Sequence, residues 1–132
     1  MEQDCLFCKI IKGEIPSHKV FESEHSYAFL DIYPITEGMT LVIPKKHNAD
    51  WLDMDEAGHA SLMHDVRHVA QMLKKHYINK RIGIQVEGLD VAHVHIKLLP
   101  FTSPHEFRAW PDRSKQPDHQ ALTKIADSLT NN

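Results

Sequence analysis

Ala92-His93-Val94-His95-Ile96-Lys97-Leu98-Leu99-Pro100 is the most informative stretch of this sequence. Polar and apolar residues alternate along it, which is typical of a β-strand with one face against a core. We therefore predict a strand over residues 91–101, after Gly88. Its polar side chains are expected to share one face and its apolar ones to enter the core; they are His93, His95 and Lys97, and Val94, Ile96 and Leu98.

Hydrophobic spacing in the other segments predicts an α+β fold. The expected helices cover 5–12, which ends at Gly13, then 54–78, which is long and amphipathic, and about 118–129 at the C-terminus. The other expected strands cover 19–21, 27–32, 39–43 and 82–86, and the proline-containing segment 103–117 is expected to be a loop. We predict a five-stranded, mainly antiparallel sheet with one long helix packed on it and short terminal helices.

Length and composition limit the possible functions. A chain of 132 residues, 42% apolar and 25% charged, has the size and content of one globular domain, which we predict over residues 1–132. A formal net charge of −3 gives no field that would gather a nucleic-acid polymer. The sequence shows neither a leader pattern nor a long apolar run, so we expect a cytoplasmic protein that does not enter membranes.

The row of His93, His95 and Lys97 favours a functional site. A single histidine on a half-buried strand is more often a polar surface residue than a functional one. Two histidines and a lysine on one face would repel one another if all were charged, so the row favours a bound anion or metal. Imidazole can attack phosphorus and then leave, which suits two-step phosphoryl or nucleotidyl transfer.

The motif His93-Val94-His95-Ile96-Lys97 resembles the signature of the histidine triad (HIT) family. The resemblance extends, in order and spacing, to Cys5-Leu6-Phe7-Cys8-Lys9-Ile10-Ile11, Gly13-Glu14-Ile15-Pro16, Ala28-Phe29-Leu30-Asp31-Ile32 with Pro34, and Thr40-Leu41-Val42-Ile43-Pro44-Lys45-Lys46-His47. It covers roughly residues 5–101 and leaves the C-terminal loop and helix, 102–132, unassigned. The resemblance implies an α+β fold and a homodimer formed through the long helix and an edge strand.

Membership of this family would imply a role for each matching residue. His95 matches the central histidine, which forms a covalent nucleotidyl intermediate that water resolves, and His93 would orient it or bind metal. Asp31 matches an acidic residue that holds the ribose hydroxyls, and Asp90 lies at a position near the phosphates. The residues that match the apolar walls around a base, which we expect to be a purine, are Leu6, Phe7, Ile10, Phe29, Leu30 and Ile32; any of them could instead belong to the core.

Two positions depart from the family pattern. Lys97 stands where the family has its third histidine, which contacts phosphate and helps to move protons. Lysine is a good point charge for phosphate but a poor proton shuttle near neutral pH, so we expect phosphate binding to persist and turnover to be slower or restricted to better leaving groups. Asp90 replaces a small hydroxyl residue, and a carboxylate there either selects substrates or points away from the anion.

Cys5, Cys8, His47 and His93 form a candidate zinc site. Sulfur and imidazole ligands are the ones zinc prefers, and zinc-bearing relatives have ligands at these positions. The alternative is a pair of reduced cysteines without metal. A cysteine-based redox protein is disfavoured, because the Cys-x-x-Cys pair does not follow a strand of a βαβ unit. His64 and His68, four residues apart on the long helix, are expected to be solvated.

The sequence thus favours a nucleotide hydrolase or transferase that acts at the α-phosphate of a nucleoside phosphoramidate or dinucleoside polyphosphate. The alternative is a zinc-stabilised nucleotide-binding or regulatory module with weak or no catalysis, because Lys97 replaces the third histidine.

Overall fold

The architecture is an antiparallel sheet with helices on both faces, seen in a computed structural model that describes residues 2–131. The strands are β1 (Lys19–Glu22), β2 (Ser26–Leu30), β3 (Thr40–Pro44), β4 (Arg81–Val86) and β5 (Ile96–Phe101), in the order β1-β2-β3-β5-β4. The helices are α1 (Leu6–Ile11), α2 (Glu56–His76), α3 (Pro104–Arg108) and α4 (His119–Thr130), with short 3-10 turns at Glu2–Asp4 and Trp51–Asp53. The predicted α+β class and the five-stranded sheet are confirmed; the predicted domain bounds, Met1 and Asn132, lie outside the described residues.

Each face of the sheet buries its own set of apolar side chains. Alternate residues of β2 and β3 point to opposite faces, so Ala28 and Val42 join one cluster while Phe29 and Leu41 join the other. α2 and α4 cover the first face with the residues Leu62, Val66, Val69, Leu73, Leu122, Ala126 and Leu129. α1 covers the second face with Phe7 and Ile10. The row His93, His95 and Lys97 belongs to this second face.

The last strand begins later than predicted. The expected strand over 91–101 is wrong for residues 91–95, because β5 starts at Ile96. The amide of His93 bonds the carbonyl of Val91 in a turn, and the amide of Val94 bonds the carbonyl of Asn48 instead of a neighbouring strand. Side chains nevertheless alternate as predicted, since Val94, Ile96 and Leu98 join the core beneath α2.

β2 also ends earlier than the predicted limit at residue 32. The Asp31 carboxylate accepts the amide of Tyr33 at 2.8 Å, which turns the chain after Leu30. This turn directs the Asp31 side chain out of the strand.

The segment 103–117 is predicted to be a loop, but the structure contains a short helix within it. Ser103 and Glu106 form a reciprocal capping box that starts α3 with Pro104 in its first turn. Residues 109–117 then run without regular structure to Asp118, which caps α4. This part of the prediction is corrected.

α1 ends as the sequence indicated. Gly13 has φ +80°, its amide bonds the carbonyl of Ile10, and the amide of Glu14 bonds the carbonyl of Lys9. This is the Schellman pattern that a glycine after a helix favours. The helix is therefore short and its end is fixed.

Two further expectations concern the long helix. His64 and His68 on α2 are exposed, as expected, and the His68 ring contacts the Phe21 ring at a tilt of 41° with centroids 4.8 Å apart. Among residues 2–131, none of the helices has the length and apolar content needed to cross a bilayer.

Candidate functional site

A cavity of about 280 Å³ lies between α1 and the ends of β2, β3 and β5. Its volume is close to the lower end of the range of small-molecule sites, about 300–1,000 Å³. It brings together His95, Lys97, Asp31, Asp90 and the expected apolar walls Leu6, Phe7, Ile10, Phe29, Leu30 and Ile32. Sequence reasoning missed five further lining residues, which are Ser17, Tyr33, Leu41, Val91 and Arg113.

His95 is held in one orientation at this cavity. The imidazole is buried, its Nδ1 lies 2.8 Å from the carbonyl oxygen of His93, and the Phe7 ring meets it edge-on at 5.2 Å. A carbonyl only accepts, so Nδ1 carries the proton and donates it there. Nε2 is then the ring nitrogen with an available lone pair.

Burial favours the neutral form of His95. Burial lowers the pKa of His95, the nearby positive charge of Lys97 lowers it too, and the bond to the His93 carbonyl and the charges of Asp90 and Asp31 oppose this. A neutral imidazole is the form that can act as a nucleophile or base.

Asp31 lines the cavity immediately after the end of β2. Its Oδ1 accepts the Tyr33 amide at 2.8 Å, which fixes the side chain at the end of β2. A fixed carboxylate accepts hydrogen bonds from hydroxyl groups. The geometry therefore suits a ligand that carries hydroxyls beside an apolar ring.

Asp90 is already paired with a cation. Arg113 donates through Nη2 to Asp90 Oδ2 at 2.6 Å, and this bond is the largest effect that lowers the pKa of Asp90. Burial is the next largest effect and raises the pKa of Asp90, while the charges of Arg113, Lys97 and His95 lower it further. The acid that had looked unfavourable for an anion is thus neutralised by its neighbour. Arg113 belongs to the irregular segment after α3, and only its position between Pro111 and Pro117 hinted at an ordered loop.

Cys5, Cys8, His47 and His93 converge beside the cavity, with their ligand atoms within 4.8 Å of one another. His93 Nδ1 lies 3.3 Å from Cys5 Sγ, 3.5 Å from Cys8 Sγ and 3.1 Å from His47 Nδ1. His47 Nδ1 lies 3.3 Å from Cys8 Sγ. The N-cap residue of α1 and the helix itself supply the two sulfurs, while the segment after β3 and the segment before β5 supply the two imidazoles.

The protonation pattern of His93 fits a ligand. His93 Nε2 lies 2.8 Å from the carbonyl oxygen of Pro44, so Nε2 carries the proton and Nδ1 faces the sulfurs with its lone pair. His93 is fully buried and both cysteines are buried and unlinked by a disulfide. The four residues could therefore hold a metal ion, and His93 links that site through its carbonyl to His95.

Comparison with known proteins identifies a matching family model and similar proteins. A family model described as "HIT domain" matches residues 12–103. Adenosine 5'-monophosphoramidase HNT1 of Saccharomyces cerevisiae is 40% identical over 132 residues, covering 98% of this chain and 82% of that protein. An uncharacterised HIT-like protein of Borreliella burgdorferi is 41% identical over 106 residues, covering 74% of this chain and 75% of that protein.

Solved structures share the fold over nearly the whole chain. A Hit-like protein involved in cell-cycle regulation from Bartonella henselae superposes with a TM-score of 0.81 at 27% identity, covering 98% of this chain and 96% of the other. A Zn-bound histidine triad family protein from Mycobacterium smegmatis superposes with a TM-score of 0.74 at 25% identity, covering 99% and 96%.

Proposed function

The chain belongs to the HIT family, and we propose that it is a nucleotide hydrolase or nucleotidyl transferase acting at the α-phosphate of a nucleoside phosphoramidate or dinucleoside polyphosphate. The observation that carries the proposal is the hydrogen bond from His95 Nδ1–H to the His93 carbonyl. This bond makes the lone pair of His95 Nε2 available to the substrate. Relatives from Saccharomyces cerevisiae, Candida albicans and Schizosaccharomyces pombe are named adenosine 5'-monophosphoramidases, which supports a purine nucleotide as substrate.

The substrate is proposed to lie along the cavity. The base packs between the apolar walls from α1 and β2, and the ribose hydroxyls donate to Asp31. The α-phosphate then lies at the other end, near His95, Lys97 and Asp90. A cation near the phosphate stabilises the charge that develops on its non-bridging oxygens.

The proposed reaction has two steps. His95 Nε2 forms a bond to the α-phosphorus while the bond to the leaving group breaks, and the leaving group takes the electron pair of that bond; an amine also takes a proton from bulk water. Water then attacks the phosphorus and releases a proton to bulk water, the bond from phosphorus to Nε2 breaks, and the nucleoside monophosphate leaves with neutral His95 restored. His93 positions His95 through its carbonyl.

Steady-state turnover tests this proposal. Wild-type protein is expected to release AMP from adenosine 5'-phosphoramidate or from a diadenosine polyphosphate, and His95→Ala to lose at least about 10³-fold in kcat, as for loss of a covalent nucleophile. Asp31→Ala should chiefly raise KM. Tight nucleotide binding without product from either substrate would favour the alternative, a nucleotide-binding or regulatory module.

Zinc is the proposed metal at Cys5, Cys8, His47 and His93. Two thiolates and two imidazoles form a typical structural zinc set, and for such ligands the neighbouring donor atoms lie about 3.3–3.8 Å apart. Three separations between nitrogen and sulfur, 3.3–3.5 Å, lie in that range. The two imidazole nitrogens are closer, at 3.1 Å, and all four ligand atoms lie within 4.8 Å of one another, so small side-chain shifts would complete the set. Bound zinc would fix α1 on the sheet; the hydrolytic steps use the chain's own residues. Reduced cysteines at such a site are consistent with the proposed cytoplasmic location.

A homodimer is proposed through the edge of the sheet. β4 is an edge strand, and Ile84 and Val86 on it are 47% and 45% exposed. An exposed apolar edge strand is a template for pairing with a second copy. Nucleotide and a second copy of the chain are therefore the proposed partners.

A further inference from the structure

We propose that Arg113 is a phosphate-binding residue of this site, held by Asp90 until a substrate phosphate replaces that carboxylate. The inference rests on the proposed function, since it concerns the same cavity. It assigns a role to the C-terminal segment that follows α3, which lies beyond the matched family domain.

Arg113 stands at a boundary between two cavities. One is the 280 Å³ cavity that contains His95, and the other, of about 510 Å³, is formed with the segment 107–111 and the end of β4. Only three of the described residues that line these cavities are common to both, and they are Asp90, Lys97 and Arg113. A phosphate at His95, with its nucleoside in the first cavity and its leaving group toward the second, would meet this trio.

The charges of the trio suit an anion once Asp90 releases its partner. With Asp90 bound to Arg113, Lys97 is the cation of the trio outside that pair. Arginine presents five N–H donors in a planar fork that matches phosphate oxygens two at a time. Arg113 and Lys97 together could then contact the oxygens that a third histidine would otherwise contact.

The existing ion pair is weak enough to exchange. The side chains of Arg113 and Asp90 are 54% and 41% exposed, and exposed ion pairs contribute little to stability because water screens them. A bidentate, charge-assisted contact with the singly charged α-phosphate of a substrate, or with the doubly charged phosphate of AMP, can compete with such a pair. Asp90 therefore orients Arg113 when no substrate is bound, and a substrate phosphate can displace it from Arg113.

The competing structural role is that the pair only anchors the segment 109–117. Both single variants, Arg113→Gln and Asp90→Asn, would then loosen the same segment and change nucleotide binding in the same direction. Phosphate binding predicts opposite directions, because one variant removes the donor and the other frees it.

The experiment is calorimetric titration of the full chain with AMP and with adenosine. Arg113→Gln should weaken AMP binding by about 10-fold or more, in the range of a lost charge-assisted contact, and leave adenosine binding unchanged. Asp90→Asn should strengthen AMP binding, and the double variant should behave like Arg113→Gln. Arg67→Gln, an exposed arginine of α2 outside both cavities, is the charge-matched control and should match wild type.

Shifts in the same direction for both single variants, equal losses for AMP and adenosine, or no AMP binding by the wild-type chain would overturn the proposal. Thermal unfolding of each variant excludes a fold defect, which is not expected for exposed side chains. If the His95 adduct forms but Arg113→Gln leaves AMP binding unchanged, only this inference fails. If AMP binding responds as stated but no turnover occurs, only the hydrolase proposal fails.

Discussion

At the residue scale, His95 and Lys97 lie two positions apart and line the same cavity but suit different tasks. A neutral imidazole can attack phosphorus and exchange protons near pH 7, whereas an ammonium group keeps its proton there. The site therefore contains the proposed nucleophile, His95, and a cation proposed to bind phosphate, Lys97. Lys97 does not supply the proton carrier expected at this position of the motif.

Substituting Lys97→His should raise kcat for adenosine 5'-phosphoramidate by about tenfold or more, since general acid catalysis typically contributes about 10²–10⁴-fold. The gain should be largest for the poorest leaving group, because that group most needs a proton. Kinetics measured across leaving groups check this, with Lys97→Arg as the control that keeps the charge without adding a proton carrier. Identical kinetics for Lys97→His and wild type would refute the role assigned to position 97.

Most of the cavity could be predicted from the sequence because its residues fall in short motifs. Asp31, Asp90 and the apolar walls were named by their place in those motifs, and all of them line the cavity. Arg113 could not be named, because its contact with Asp90 spans 23 positions and depends on how an irregular segment folds back. The pairing of His18 with His119, 2.9 Å apart and 101 positions distant in the chain, was missed for the same reason.

At the scale of secondary-structure elements, α1 is a short helix, and such a helix gains little stability by itself. Its position depends on Phe7 and Ile10 in the core and on Cys5 and Cys8 in the candidate metal site. Loss of metal should therefore loosen the wall of the cavity as well as the chain's N-terminal end.

Removing zinc with a chelator is expected to lower the Tm by roughly 5 °C or more. Binding of a structural zinc ion contributes free energy of folding, and each 1 kcal/mol lost lowers the Tm by about 4 °C in a domain of this size. Calorimetry with and without chelator, together with metal analysis of the purified chain, measures this. The matched control is Cys8→Ser, which should begin at the lower Tm and not respond to chelator. A purified chain that contains no zinc and binds none on addition would contradict the assignment.

The turn between β2 and β3 is held against the end of α2. Gly38 has φ +89°, and a Cβ there would overlap the ring of Tyr77, whose hydroxyl donates to Glu37 at 2.9 Å. Gly38→Ala should reduce the free energy of unfolding by about 2–4 kcal/mol, from left-handed strain plus overpacking.

Gly88→Ala provides the comparison for Gly38→Ala. Gly88 has φ +78°, but no atom lies within 4 Å of the added Cβ, so the cost should be about 1–2 kcal/mol from backbone strain alone. Denaturant unfolding of both variants measures the difference. Equal losses would show that contact with Tyr77 does not constrain the turn.

Predictions for individual elements succeeded where periodicity was long and were less accurate at the ends. The extent of α2 is close to the predicted 54–78, because its apolar stripe repeats from Leu62 to Leu73, over about three turns. The side chains of residues 91–95 alternate between polar and apolar, which predicts a paired strand. Their backbone amides instead bond within a turn, from His93 to Val91, and to Asn48, from Val94. α3 was missed although Ser103-Pro104-His105-Glu106 contains a capping-box pattern, since prolines in the segment favoured a loop.

At the scale of the whole molecule, the two faces of the sheet differ in what they carry. α2 and α4 bury most of the core on one face, and the other face carries α1, the cavity and the candidate metal site. Chemistry can therefore vary on one face while the other maintains stability. The edge at β4 carries two apolar side chains that face outward, Ile84 and Val86.

The homodimer proposal predicts that the double variant Ile84→Lys/Val86→Lys is a monomer. Two added charges on an edge strand oppose pairing with a second copy, while both side chains are already half exposed in the single chain. Sedimentation equilibrium should give twice the chain mass for wild type and one chain mass for the variant. Ile78→Lys, at an exposed apolar position outside β4, is the control and should remain a dimer; a wild-type mass of one chain would contradict the proposal.

The most direct measurement is the intact mass of the protein, quenched with denaturant during turnover of adenosine 5'-phosphoramidate. Wild-type chains are expected to gain one adenylyl group and to lose it as AMP appears, whereas His95→Ala should never carry it. Steady release of AMP by His95→Ala at the wild-type rate, or an adduct located on another residue, would contradict the assignment of His95 as the nucleophile.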